Sequence, residues 1–138
     1  MTAANAWKAF LILLVLVLAV PLAVAQKQKG PKYDPSNEVK VSGTVTDIKQ
    51  VAEDSDTETH LVLNTDKGIV EVCLCPAKFL SAMDINFQKG DKLEVTGAKA
   101  KEADGTEEIL AREIVKGDNT LVLRDKQGGP VWTWLLKQ

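Results

Sequence analysis

The chain has 138 residues, 45% of them hydrophobic and 26% charged, with 17 Lys and Arg against 19 Asp and Glu. That length supports one domain whose core needs no disulfide. A net charge of −2 at pH 7 excludes the basic footprint that nucleic acid or an anionic membrane surface requires.

Lys8 is the sole charge among the first 25 residues, and Ala9 to Ala25 is an unbroken apolar run. Pro21 and the small-residue end Ala23-Val24-Ala25, just before Gln26, mark a secretory signal cleaved after Ala25. An uncleaved anchor fits less well, because a spanning helix uses about 20 apolar residues. Residues 1–25 are thus expected to be a signal peptide. The remainder is expected to be exported to a bacterial periplasm or the exterior, with no stable membrane insertion after cleavage.

Residues 26–37 are polar, carry Gly30, Pro31 and Pro35, and read as a flexible leader. Glu38 to Val51 alternates as a half-buried strand, with Gly43 marking a bulge or bend within it. Ala52 to Glu58 is acidic and reads as a solvated loop. Asp54 and Asp56 there lack the glycine and closing glutamate of a calcium loop. Thr59–Asn64 is the second strand, and Thr65 to Gly68 turns into a third, Gly68–Leu74.

Pro76 ends that strand and opens a short helix, with Phe79, Leu80 and Met83 at helical spacing. Lys89-Gly90-Asp91 turns into a long fourth strand that passes through Gly97 and ends at Lys101. Glu107 to Val115 fits either period, and the short turn at Asp104-Gly105 favours a hairpin return as strand five. Thr120 to Arg124 forms another strand, and Trp132 and Trp134 lie in an aromatic end.

Five strands with a helix between the third and fourth resemble the OB-fold. The residues that carry the likeness are Gly43, the helix from Pro76, and the segment KGDKLEVTG. The chain also resembles small exported bacterial OB-fold proteins, the BOF-like group. Its tail LVLRDKQGGPVW is similar to segments of secreted proteins described as nucleic-acid-binding-like. The resemblance implies an all-β, five-stranded Greek-key barrel over residues 38–115 and a C-terminal hairpin extension over 116–138.

The Cys73-Leu-Cys75 pair is the main chemical candidate, since residues two apart on a strand share a face. A four-residue turn at Thr65–Gly68 pairs Asn64 with Ile69 and brings His60, the sole histidine, opposite Cys73. Cys73, Cys75 and His60 are then a soft donor set for Cu(I) or Zn. Two other readings stay open: a strained Cys73–Cys75 disulfide, or two small half-buried residues beside a surface histidine.

Trp132 and Trp134 alternate, so they either plug the barrel end together or form a patch for a partner. The basic residues, Arg112 and Arg124 among them, are interleaved with acids and read as solvated. Nucleic acid is disfavoured, because Glu38 to Leu74 holds no aromatic residue on which a base could stack. No nucleophile elbow, phosphate loop or HExxH motif is present, so no enzyme is expected. The sequence therefore reads as an exported accessory module that binds an envelope protein or a small ligand. The alternatives are a metal or thiol-redox protein, and then a single-stranded oligonucleotide binder.

Overall fold

The computed structural model describes residues 31–53 and 56–137. The expected signal peptide and the first part of the leader lie outside the described residues. Six strands follow one another: β1 (Glu38–Glu53), β2 (Asp56–Thr65), β3 (Gly68–Pro76), β4 (Lys92–Lys101), β5 (Glu107–Lys116) and β6 (Asn119–Val122). Among the described residues, one α-helix, α1 (Ala77–Ala82), links β3 to β4, and short 3₁₀ turns stand at Pro35–Asn37 and Thr133–Lys137.

The sheet runs β3-β2-β1-β4-β5-β6, and consecutive neighbours are antiparallel. A further parallel pairing of β3 with β5, through Val72–Ile109 and Cys73–Leu110, makes β1–β5 a closed ring of hydrogen-bonded neighbours. Closure pairs the two edges that β1–β5 would leave as an open sheet, with β6 as an outer strand on β5.

β1 makes that closure possible by serving two partners. Residues 38–44 pair with β4 and residues 43–53 pair with β2, so Gly43 lies opposite both Thr65 and Leu93. A Cβ on Gly43 would stand 2.8 Å from the Asn64 carbonyl oxygen, which is why a glycine occupies a strand interior here. The bend expected at Gly43 takes the form of this double pairing. The register shift itself comes just beyond, between Val45 and Asp47.

Inside the ring, Val45, Leu61, Leu63, Val72, Leu74, Leu93, Val95, Ile109 and Ile114 form one buried cluster. Each such side chain contributes about 1.5–3 kcal/mol relative to exposure. Pro76, with φ −56°, leads into α1, which packs Phe79 and Leu80 onto that core. Met83, expected on the same face, instead follows the helix as its exposed C-cap residue. The chain reverses directly after it, at Asp84 with φ +54°.

Three further segments differ from expectation. The acidic stretch after Val51 is a continuation of the β1–β2 hairpin, with Val51 opposite Glu58 and Glu53 opposite Asp56. The last residues of the leader make fixed contacts. Asp34 caps the first 3₁₀ turn, and the Tyr33 hydroxyl donates to Glu38 Oε2 at 2.6 Å. At the C-terminus, Trp132 and Trp134 differ in burial, although both rings meet Phe79, at 6.2 and 6.4 Å. Trp132 precedes the second 3₁₀ turn and Trp134 lies within it, so the alternation expected of a strand is not kept. Trp132 is 7% exposed and belongs to the core, while Trp134 is 48% exposed.

Candidate functional site

The most unusual chemistry in the fold gathers where β2, β3 and β5 meet. His60 on β2 lies opposite Cys73 on β3, in the register set by the Thr65–Gly68 turn. A register shift between Thr59 and His60 then makes Thr59 face Cys75, with Leu74 as the extra residue between the two cysteines. Cys75 accordingly joins Leu74 in the hydrophobic core, and Cys73 stays outside that cluster. Both cysteines are buried and free, with no disulfide between them. Of the set Cys73, Cys75 and His60, the structure thus brings together Cys73 and His60.

Glu58 takes the third place. It is two residues before His60 on β2, a spacing that sends both side chains to one side of the strand. The Cys73 thiol donates to Glu58 Oε2 at 3.3 Å, and His60 Nε2 stands 3.6 Å from the same oxygen. One donor atom from each of Glu58, His60 and Cys73 lies within 4.8 Å of the other two. Reading Ala52 to Glu58 as a loop hid this residue. Its two-residue spacing from His60 was the signal that could have found it.

The His60 ring is clamped from its other side. Nδ1 is 3.1 Å from Glu71 Oε1 and 3.9 Å from Glu108 Oε2, and the imidazole is 7% exposed. A neutral ring that donates its Nδ1 hydrogen to Glu71 leaves the Nε2 lone pair facing Glu58 and Cys73. Nε2 is buried and has no hydrogen-bond partner among the described residues. Unpaired buried polar atoms are rare, and each calls for a physical reason.

In the metal-free protein the surrounding charges favour a proton on that nitrogen. Burial opposes a charged imidazole, but the carboxylates of Glu58, Glu71 and Glu108 outweigh it and raise the His60 pKa. The adjacent imidazole holds Glu58 below the usual carboxylate range, against the cost of burial. Burial and then the Glu58 carboxylate push the Cys73 thiol up, and burial pushes Cys75 up to about 12. Both are protonated thiols at neutral pH, unlike the thiolates of reactive cysteines. Glu108, with its side chain 4% exposed, is raised to about 8 by burial and by a hydrogen bond to Glu102.

Arg124 braces the cluster from behind. Sequence patterning placed it on a solvated face, yet it is buried. Its guanidinium Nη1 donates to the Leu74 carbonyl at 3.1 Å and also to the Ala111 carbonyl. The guanidinium carbon lies 5.0 Å from the centre of the Trp132 ring. Arg124 thereby ties the C-terminal segment to β3, one residue from Cys73, and to β5. Trp134, the exposed member of the aromatic pair, stacks edge-on against Phe79 at 6.4 Å.

These features define a small all-β protein whose strand ring carries a buried imidazole–thiol–carboxylate group outside its apolar core. Residues 37–121 match the MamS/MamX magnetosome protein family, and the chain belongs to that family. The matched segment starts within the first 3₁₀ turn and ends in β6, so it contains the whole ring and every residue of the cluster. The sequence likeness pointed to a different group, the BOF-like exported proteins. Comparison with curated proteins gave no match.

Proposed function

We propose that this protein is an exported, non-catalytic accessory module of the cell envelope or of a magnetosome compartment, acting by holding a ligand. Membership of a magnetosome protein family across the ring is the observation that carries this reading. The apolar N-terminal run read as a secretory signal agrees with it. We read the ring as an OB-type barrel, a scaffold that presents ligands on strands and loops. The order β3-β2-β1-β4-β5, the β3–β5 closure and the helix between β3 and β4 support that assignment. The fold alone gives no ligand.

Fractionation of cells that make the tagged full chain tests the proposal. The protein is expected in the envelope or magnetosome fraction, with a chain shortened after Ala25. Recovery of the uncut chain from the cytosol would remove it. Oligonucleotide binding finds little support: the described aromatic residues sit in the helix region, the N-terminal turn and the C-terminal segment, and β1–β3 carry none.

A further inference from the structure

We infer that Glu58, His60 and Cys73 form a mononuclear site for a borderline divalent transition-metal ion of the Zn²⁺ type. The inference rests on the preceding reading, that the protein works by holding a ligand, and names the ligand class.

Distances carry the argument. Zn²⁺ binds nitrogen and oxygen at about 2.0–2.2 Å and thiolate at about 2.3 Å, so donors on a tetrahedron stand roughly 3.3–3.8 Å apart. Here Cys73 Sγ is 3.3 Å and His60 Nε2 is 3.6 Å from Glu58 Oε2. The unpartnered nitrogen is the second, independent observation. His60 is more than nine-tenths buried, and its Nε2 lies 3.6 Å from Glu58 Oε2 with no hydrogen bond among the described residues. A cation among the three donors satisfies that atom.

The outer contacts match as well. A histidine that ligates metal usually donates its other ring hydrogen to a carboxylate, which fixes tautomer and orientation. Glu71 is in that position, 3.1 Å from Nδ1. Lys49, 3.8 Å from the other Glu71 oxygen, orients that carboxylate in turn. The mixed sulfur, nitrogen and oxygen set favours Zn²⁺ or Co²⁺ over Mg²⁺ and Ca²⁺, which take oxygen donors. On binding, the Cys73 S–H bond breaks, the sulfur's electron pair goes to the metal and the proton leaves to solvent. The fourth position goes to water on the side of Glu58, the most open of the three donors.

The test uses the full chain, purified anaerobically and stripped with a chelator, then titrated with Co²⁺ under an absorption spectrometer. One equivalent is expected to bind and produce a near-ultraviolet thiolate-to-cobalt band. Zn²⁺ should displace it, and Mg²⁺ or Ca²⁺ should not. Cys73→Ser should abolish the band, while Cys75→Ser leaves it in place. His60→Gln and Glu58→Gln should each weaken binding at least tenfold, with circular dichroism confirming the fold. If Cys73→Ser does not fold, the Glu58→Gln affinity decides. No band, or a band that survives Cys73→Ser, overturns the inference, and His60 is then an imidazolium held by carboxylates alone. An envelope-located protein that binds no metal refutes only this inference. A metal-binding protein found in the cytosol refutes only the location proposed above.

Discussion

His60 Nδ1 meets Glu71 Oε1 across the β2–β3 pair at 3.1 Å, and this contact leaves Nε2 as the ring nitrogen beside Glu58 Oε2, 3.6 Å away. Glu71→Gln keeps the shape but presents an amide that can orient either way. Loss of such an outer carboxylate typically lowers metal affinity 10- to 100-fold. Competition against a chromogenic chelator should show about a tenfold loss in Glu71→Gln, with the thermal midpoint of the metal-free protein little changed.

Glu108 makes the metal-free protein sensitive to alkali. Its carboxyl is raised to about 8 by burial and by Glu102, with Glu71 adding to the rise and His60 opposing it. In the unfolded chain the same group titrates near the ordinary glutamate value of about 4.3. Between those values the folded state binds more protons than the unfolded state, so this group lowers stability as pH rises. Glu108→Gln removes the effect. Urea melts with chelator present should show the variant gaining on the parent from pH 5 to pH 9, with the difference levelling above pH 8. An unchanging difference would mean that Glu108 is ionised throughout.

Arg124 joins three parts of the molecule through the Leu74 and Ala111 carbonyls and the Trp132 ring. Truncation to alanine removes a charged donor from two buried carbonyls and a cation–π contact, at a cost of about 2–5 kcal/mol. Arg124→Lys should recover only part of this, because an ammonium lacks the planar fork. Equilibrium urea denaturation measures both variants, and equal stability of Lys and Arg would show that charge alone matters.

The two tryptophans should separate cleanly. Trp132→Ala opens a core position against Phe79 and is expected to cost about 3–5 kcal/mol. Trp134→Ala, at a position 48% exposed, should cost under about 1 kcal/mol. Denaturation midpoints check both. A large loss in Trp134→Ala would mean that its edge-on contact with Phe79 is structural.

The parts of the site fixed by local pairing could be read from the sequence. The Thr65–Gly68 turn and the apolar alternation of Leu61, Leu63, Val70 and Val72 set the register that puts His60 opposite Cys73. The displacement of Cys75 could not be read, because the register shift at Thr59–His60 leaves no mark on the residue pattern. Glu58 was masked by acidic neighbours that resemble a loop but continue a hairpin. Arg124 was masked for the opposite reason. An arginine interleaved with acids looks solvated until the chain folds back, and the carbonyls it meets are 50 and 13 residues away.

X-ray absorption on the Zn²⁺-loaded protein tests the central claim most directly, because it reads donor type without mutation. The account predicts one sulfur at about 2.3 Å and nitrogen or oxygen donors at about 2.0–2.2 Å. A shell without sulfur would contradict the assignment to Cys73. A shell with two sulfurs would bring Cys75 back to the site and contradict its place in the core.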